Sequence, residues 1–330
     1  MKLACCAIAM TLCILDAKTV LQGATNGIEL CMRSVIPALF PLLTCSTYLT
    51  GNLGIFSSSL LRPVGKLCRI PSSCVGILIT GFLGGYPTGA QAVAQAYESG
   101  SISKETASRM LGFCNNAGPA FIFGMLSAYF SDIRLLFLLW VIHITSAIFV
   151  GILLPGPSDV NAKIPAKCSY TLPQALSRSV KVMALICGWV ILFRVFIQFL
   201  EKWILWALPN TTNILIIGLL ELTNGCVRLC DMTDEPARFM LVSVFLSAGG
   251  VCVGMQTCSV TGDLGTGMYF PGKSVQCCIS LLICSVILPF LYPGADFLWP
   301  VLAAATVLLF LMYCLHFRKN NSSNFQLHRV

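Results

Sequence analysis

Two adjacent asparagines, Asn115 and Asn116, interrupt a strongly apolar chain within the run FCNNAGPAFIFG. Each side-chain amide carries two N–H donors and one carbonyl acceptor. The pair can therefore bond a planar polar solute or hold interrupted backbone open. An earlier run, Gly84, Gly85, Tyr86, Pro87, Thr88 and Gly89, breaks the chain a second time. Its glycines let backbone approach a ligand closely, and Pro119 lets a new helical segment start after the asparagines. A broken helix frees its terminal N–H groups and turns the positive end of its dipole toward the gap. An anion placed there is stabilised without any lysine.

The second half carries fainter versions of the same features. Glu221, Thr223, Asn224 and Gly225 follow one apolar run, and Ser247, Gly249 and Gly250 interrupt another. Glu221 reads either as a proton-coupling carboxylate or as an interface residue that snorkels. Arg194 lies deep in VMALICGWVILFRVFIQFL, where charge is costly. It either faces a cavity as counter-charge to an acidic substrate or pairs with Glu201 or Glu221. His143, in mid-span, reads as a hydrogen-bonded structural histidine. The expected substrate-binding set is Gly85, Tyr86, Pro87, Thr88, Gly89, Asn115, Asn116, Pro119, Glu221, Thr223, Asn224, Gly225, Ser247 and Arg194.

No catalytic constellation stands beside them. The chain has no GxSxG or HExxH sequence, so it reads as a non-enzyme. Its eighteen cysteines include no CxxC, and with three histidines there is no zinc spacing and no expected metal or cofactor. Ten of them, Cys5, Cys6, Cys13, Cys45, Cys187, Cys252, Cys277, Cys278, Cys284 and Cys314, lie in apolar runs and read as small hydrophobes.

The elements that must position these residues are membrane helices. The chain has 330 residues, 56% hydrophobic and 10% charged, with a mean hydropathy of +0.83. A soluble domain averages about 25% charged residues. The length allows about eight or nine spans of about 20 residues. Apolar runs fall at 3–20, 34–50, 74–84, 132–154, 182–200, 211–222, 239–255, 275–292 and 296–317. Those at 74–84, 211–222 and 239–255 are short or glycine-interrupted and read as half-helices. The N-terminus has a lysine and a short apolar core but no small-x-small cleavage site, so an uncleaved first span is expected.

Between the first-half breaks lies a charged helical hairpin. AQAVAQAYESG ends at Gly100, and Ser103 caps KETASRMLGF with Glu105 in the first turn. Before it, Arg62, Lys66 and Arg69 alternate with Leu60, Leu61, Val64, Leu67 and Ile70, the pattern of a basic interfacial helix or of an ordinary basic loop. The net charge of +8 is spread over loops and tail with no basic stripe, which argues against nucleic acid. Lys163, Lys167, Arg178 and Lys181, and the tail residues Arg318, Lys319 and Arg329, are placed on the cytoplasmic side by the positive-inside rule.

The proline-rich stretch 155–174 divides the chain nearly in half, and the halves echo each other. Arg33-Ser34-Val35 pairs with Arg178-Ser179-Val180, Gly81 with Gly218, Gly89 with Gly225, and Phe113 to Gly118 with Phe245 to Gly250. Paired broken segments in two halves point to a transporter binding site.

The combination SVIPALFPLL (34–43), GFLGGYPTGA (81–90), the ISKETA hairpin and FCNNAGPAFIFG (113–124) resembles the YlbJ-like sporulation integral membrane protein family. ELTNG (221–225) looks like that family's second polar break, and the likeness covers about 25–290. The family carries the nucleoside-recognition, or Gate, domain. The resemblance implies an endospore-forming bacterium, expression in the mother cell and distant kinship to concentrative nucleoside transporters, whose hairpins and broken helices form the substrate site. It also implies movement of dipicolinate, a planar dianion, toward the forespore across its outer membrane. The many cysteines and the sparse polar residues of the second half depart from the family pattern.

The expected architecture is all-α: a polytopic helical membrane protein of eight or nine spans, with two re-entrant, broken-helix hairpins and an internal two-fold repeat. Its divisions are a first Gate-type repeat with the N-terminal span (1–154), a linker (155–174), a second Gate-type repeat (175–292), and a last span with a basic tail (293–330). The expected function is transport of a small planar anionic solute, dipicolinate, with two alternatives. One is a nucleoside-type solute; the other is a non-transporting scaffold for spore envelope or cortex assembly. The expected partners are the solute and the lipid bilayer, with room for a homo-oligomer. The expected location is the bacterial cell membrane, in the mother-cell-derived outer forespore membrane.

Overall fold

The computed structural model describes residues 2–52, 62–71, 74–130, 132–156, 170–293, 301–309 and 311–312. They are helical with no strand among the described residues. Lys163, Lys167, the basic tail and most of the linker lie outside them, as does much of the expected last span.

The first apolar run is two helices rather than one. Helix α1 (Lys2–Leu15) stops at Asp16, whose carboxylate accepts from Thr19 N (3.4 Å) and Thr19 Oγ1 (2.9 Å) and so starts α2 (Ala17–Leu30). A π turn (Cys31–Val35) joins α2 to α3 (Ile36–Asn52), and Ile36 N reaches back to Cys31 O. The register slips beside Pro37, which has no N–H to donate.

Helix α4 (Arg62–Leu67) is followed by α5 (Val75–Gly84), α6 (Thr88–Glu98), α7 (Lys104–Cys114), a π-helical turn (Ala120–Met125) and α8 (Ile133–Leu153). The helix–turn–helix expected at 90–114 is present, with Ser103 Oγ accepting from Thr106 N (3.2 Å). The second half runs α9 (Leu172–Trp203), α10 (Asn210–Leu220), α11 (Leu222–Arg228), α12 (Glu235–Ala248), α13 (Gly250–Thr261) and α14 (Tyr269–Leu291).

Among the described residues, five stretches are long and apolar enough to cross a bilayer: Ala17–Leu49, Ile133–Leu153, Leu172–Trp203, Glu235–Leu264 and Tyr269–Leu291. Val75–Gly84 and Asn210–Leu220 are shorter apolar helices. Exposed Val141, Phe149, Leu192, Phe196, Val286 and Phe290 give these helices a lipid-compatible surface.

Lipid offers helices no hydrophobic drive toward each other, so close backbone approach and polar contacts must hold them. Gly23 and Gly27, one turn apart on α2, meet α9 in that way. A β-carbon on Gly23 would lie 2.8 Å from Val195 Cα, and one on Gly27 2.9 Å from Ile191 Cα. On α7 and α14, Gly112 and Gly272 make a second such crossing. At the end of α8, Arg109 Nε and Nη1 donate to Leu154 O (3.0 Å) and Cys68 O (2.7 Å), and Nη2 donates to Gly151 O. Arg69 adds bonds to Ile152 O (3.0 Å) and Leu154 O (2.7 Å). Arg69 thus turns inward onto carbonyls that no helical N–H reaches, instead of outward to head groups as a basic interfacial helix would have it.

Two apolar clusters flank the middle of the molecule. One gathers α5, α6 and α7 with the end of α8 and the start of α14; the other gathers 117–130, α11, α12 and the far end of α14. Tyr86 packs against both. No disulfide joins the fourteen cysteines whose side chains are described, which agrees with their reading as small hydrophobes; the side chains of Cys5, Cys6 and Cys314 are not among them.

Candidate functional site

Backbone that leaves the helix inside a membrane must find partners for its N–H and C=O groups, at several kcal/mol for each one left bare. Four breaks do so here, each differently. After α5, Gly85 takes a φ of 73°, which only glycine adopts freely, and Thr88 Oγ1 donates to Gly85 O (2.6 Å). After α7, Asn116 Nδ2 donates to Phe113 O (2.6 Å), and Ala117 N donates to His143 Nε2 (3.0 Å). After α10, the Glu221 carboxylate caps α11, accepting from Thr223 N (3.0 Å), Asn224 N (2.7 Å) and Asn224 Nδ2 (2.6 Å). Between α12 and α13, Gly249 is left-handed (φ 68°) and its N–H returns to Phe245 O (2.9 Å).

The first three of these breaks meet at one cleft of about 530 Å³, counting its open mouth. Gly84, Gly85, Tyr86 and Gly118 line it from the first half, and Glu221 and Thr223 from the second. Leu39, Leu43, Phe121, Ile186, Val190 and Val253 make the rest mainly apolar. Glu221 is the one ionisable acid or base among the lining residues apart from the phenol of Tyr86. Two polar atoms on this wall lack hydrogen-bond partners, Tyr86 Oη and Gln256 Oε1, and Gln256 is only 3% exposed. Buried polar atoms are rarely left bare without a functional reason or an absent ligand or water.

Of the expected site residues, Gly85, Tyr86, Glu221 and Thr223 line the cleft. The asparagines fasten its frame rather than project into it. Asn115 Oδ1 accepts from Ala90 N (3.3 Å), an N–H freed at the start of α6, and its Nδ2 donates to Thr257 Oγ1 (2.9 Å). Pro87 precedes the first turn of α6, Pro119 precedes the π turn, and Asn224 is bonded to Glu221. Gly89 and Gly225 are contact points: β-carbons there would fall 2.1 Å from Cys114 O and 2.2 Å from Gly218 Cα. Ser247 is fully buried, with its hydroxyl unpartnered.

Arg194 stands apart from all of these. It pairs with Glu201 (3.1 Å) and donates to Gln198 Oε1 (3.0 Å), on the part of α9 that packs against α2. Of the readings open in the sequence, pairing with Glu201 is the one observed. Glu221 is 2% exposed and caps a helix, so it does not snorkel.

Three side chains escaped the sequence reading. Lys273, 3% exposed on α14, donates to Asn116 Oδ1 (3.0 Å) and Gln276 Oε1 (2.8 Å). Gln276 Nε2 in turn reaches His143 O (3.2 Å) and Ser146 Oγ (3.4 Å). Gln256 is the third. The apolar runs of the sequence end at 255 and begin again at 275, so Gln256 and Lys273 fall just outside them; the helices continue through both. A lysine among apolar residues is itself the signal that could have found the second.

No family model matches the chain, and no solved structure does. Among curated proteins, it is similar to the sporulation integral membrane protein YlbJ of Bacillus subtilis (strain 168). The two are 25% identical over 291 residues, covering 73% of this chain and 70% of that protein. The chain is YlbJ-like. Stretches 1–154 and 175–330 each hold less than half of the residues. The YlbJ likeness therefore reaches into both sides of the linker.

Proposed function

We propose that this YlbJ-like chain is a sporulation membrane transporter that moves a small planar anionic solute, dipicolinate, from the mother cell toward the forespore, in the outer forespore membrane. One observation carries the reading. Breaks from the two halves, at Gly85–Tyr86 and Gly118 and at Glu221–Thr223, line one cleft. Helix breaks at corresponding places in two halves are how many secondary transporters build a solute site.

The order of elements supports an internal repeat of two Gate-type units. Helices α5, α6, α7 and α8 correspond to α10, α11, α12 and α14, and the two π and α segments after the asparagine and Gly249 breaks correspond to each other. In each half, a glycine before the break touches one after it. A β-carbon on Gly89 would sit 3.0 Å from Gly81 Cα, as one on Gly225 would sit 2.2 Å from Gly218 Cα. In this reading α5–α7 and α10–α12 are the two broken-helix hairpins.

A second reading has its own observation. Glu221 faces the cleft, so a dianion would meet a carboxylate, whereas an uncharged nucleoside-type solute would offer it hydroxyl donors. A planar acid is accommodated with Glu221 protonated. The deciding experiment is the dipicolinate content of mother cell and spore in sporulating cells with and without the gene. Retention in the mother cell on deletion supports the proposal. An unchanged distribution refutes it and leaves the nucleoside-type solute or the envelope scaffold.

A further inference from the structure

Lys273 is out of place for a residue that only packs. An ammonium in a membrane interior is costly unless paired, and Lys273 makes no ion pair among the described residues. Its partners are neutral oxygens, Asn116 Oδ1 and Gln276 Oε1, with the Tyr269 ring centroid 5.9 Å away. Asn116 belongs to the first-half asparagine break, two residues before the Gly118 that lines the cleft.

The next residue along the break, Ala117, is held by a different helix. Its N–H bonds His143 Nε2 on α8, and Gln276 on α14 bonds His143 O, closing a ring of contacts from α14 through the break to α8 and back. Two of the break's buried polar groups, an amide oxygen and a backbone N–H, are therefore each gripped by a side chain from a long, continuous span. Such a network is strong while complete and costly once a member is lost, because the remaining polar groups are left bare in low dielectric.

We propose that Lys273 is the positioning residue of the cleft. With Gln276 and His143 it forms a latch between α8 and α14 that holds the asparagine break closed, and release of Asn116 from Lys273 is the motion that opens this wall. The inference rests on the break forming one wall of the solute cleft, but its test does not use transport.

Cys114 directly precedes the break and is fully buried. In the full-length protein in native membranes, N-ethylmaleimide modification can be followed at each cysteine by peptide mass spectrometry. Cys252 and Cys284, also fully buried, report on the rest of the core. Lys273→Met should raise the Cys114 rate about tenfold to a hundredfold, the range set by losing a hydrogen bond to a charged group. Cys252 and Cys284 should keep the wild-type rate. Lys273→Arg, which keeps the charge and the donors, should leave Cys114 protected.

A wild-type Cys114 rate in Lys273→Met overturns the latch. So does equal unmasking of Cys114, Cys252 and Cys284, which would assign Lys273 to general packing. Where Lys273→Met does not accumulate, Gln276→Leu, which cuts the latch at Lys273 and at His143 O, takes its place and is read in the same way. Failure of dipicolinate transport with this labelling pattern intact would remove the proposed solute and leave the latch standing.

Discussion

Replacing Glu221 by glutamine tests whether the second-half break is built around a carboxylate. Glu221 Oε2 accepts from Asn224 N and Nδ2 (2.7 and 2.6 Å), and Oε1 accepts from Thr223 N (3.0 Å). Glutamine has one acceptor oxygen. Placed at Oε2, it keeps the two Asn224 bonds as neutral ones and turns an NH2 group against the Thr223 N–H. One charged bond is lost, at about 1.5–3 kcal/mol, and two weaken by about 1 kcal/mol each. Against this, glutamine avoids burying a charge, a relief of a few kcal/mol in the opposite direction. The net expectation is a loss of about 1–3 kcal/mol, or about 2–10 °C in Tm. Glu221→Ala leaves all three donors bare and should be worse than Glu221→Gln. The assay is thermal unfolding of detergent-solubilised protein, followed by maleimide dye uptake at the buried cysteines. Equal midpoints for wild type, Glu221→Gln and Glu221→Ala would refute the capping role.

Gly89→Ala should prevent α6 from closing on the end of α7, because its β-carbon would lie 2.1 Å from Cys114 O, a backbone atom that no rotamer change can move. A cost of about 3 kcal/mol is expected, read as a lower unfolding midpoint. Arg109→Leu strips Cys68 O and Gly151 O of their side-chain donor, while Leu154 O keeps its bond from Arg69, and should cost about 2–6 kcal/mol, with Arg109→Lys intermediate in the same assay. The Lys202 ammonium beside Asp16, with Thr19, holds the Asp16 carboxyl below its usual value of 3.8. A depressed folded pKa gives stability that is present above 3.8 and lost as pH falls through the folded value. The midpoint difference between wild type and Asp16→Asn should therefore be seen at neutral pH and vanish below that window.

The helical membrane character and both sets of breaks were legible because glycine, proline and asparagine stand out against apolar sequence. The Ser103 cap could be named from local spacing alone, and the Arg194–Glu201 pairing was one of three readings that spacing left open. What Asn115 and Asn116 do was not legible. Their partners, Thr257 and Lys273, are more than 140 positions away, and only the fold decides whether an amide faces solute or seam. The Gly23–Gly27 contact went unread for a related reason: a pair of small residues on one helix face has meaning only once α9 is known to lie there. Hydropathy windows also end at polar residues, and so they exclude the buried polar groups, Gln256 and Lys273, that matter most beside a site.

The central claim is that breaks from both halves frame one solute path. Its most direct test is uptake of labelled dipicolinate into liposomes carrying the purified protein, compared with Asn115→Ala and Asn116→Ala at equal reconstituted amounts. The account predicts uptake by wild type and none by either variant, because each substitution unfastens the break that walls the cleft. Absence of wild-type uptake at every gradient, or wild-type rates in both variants, would contradict it.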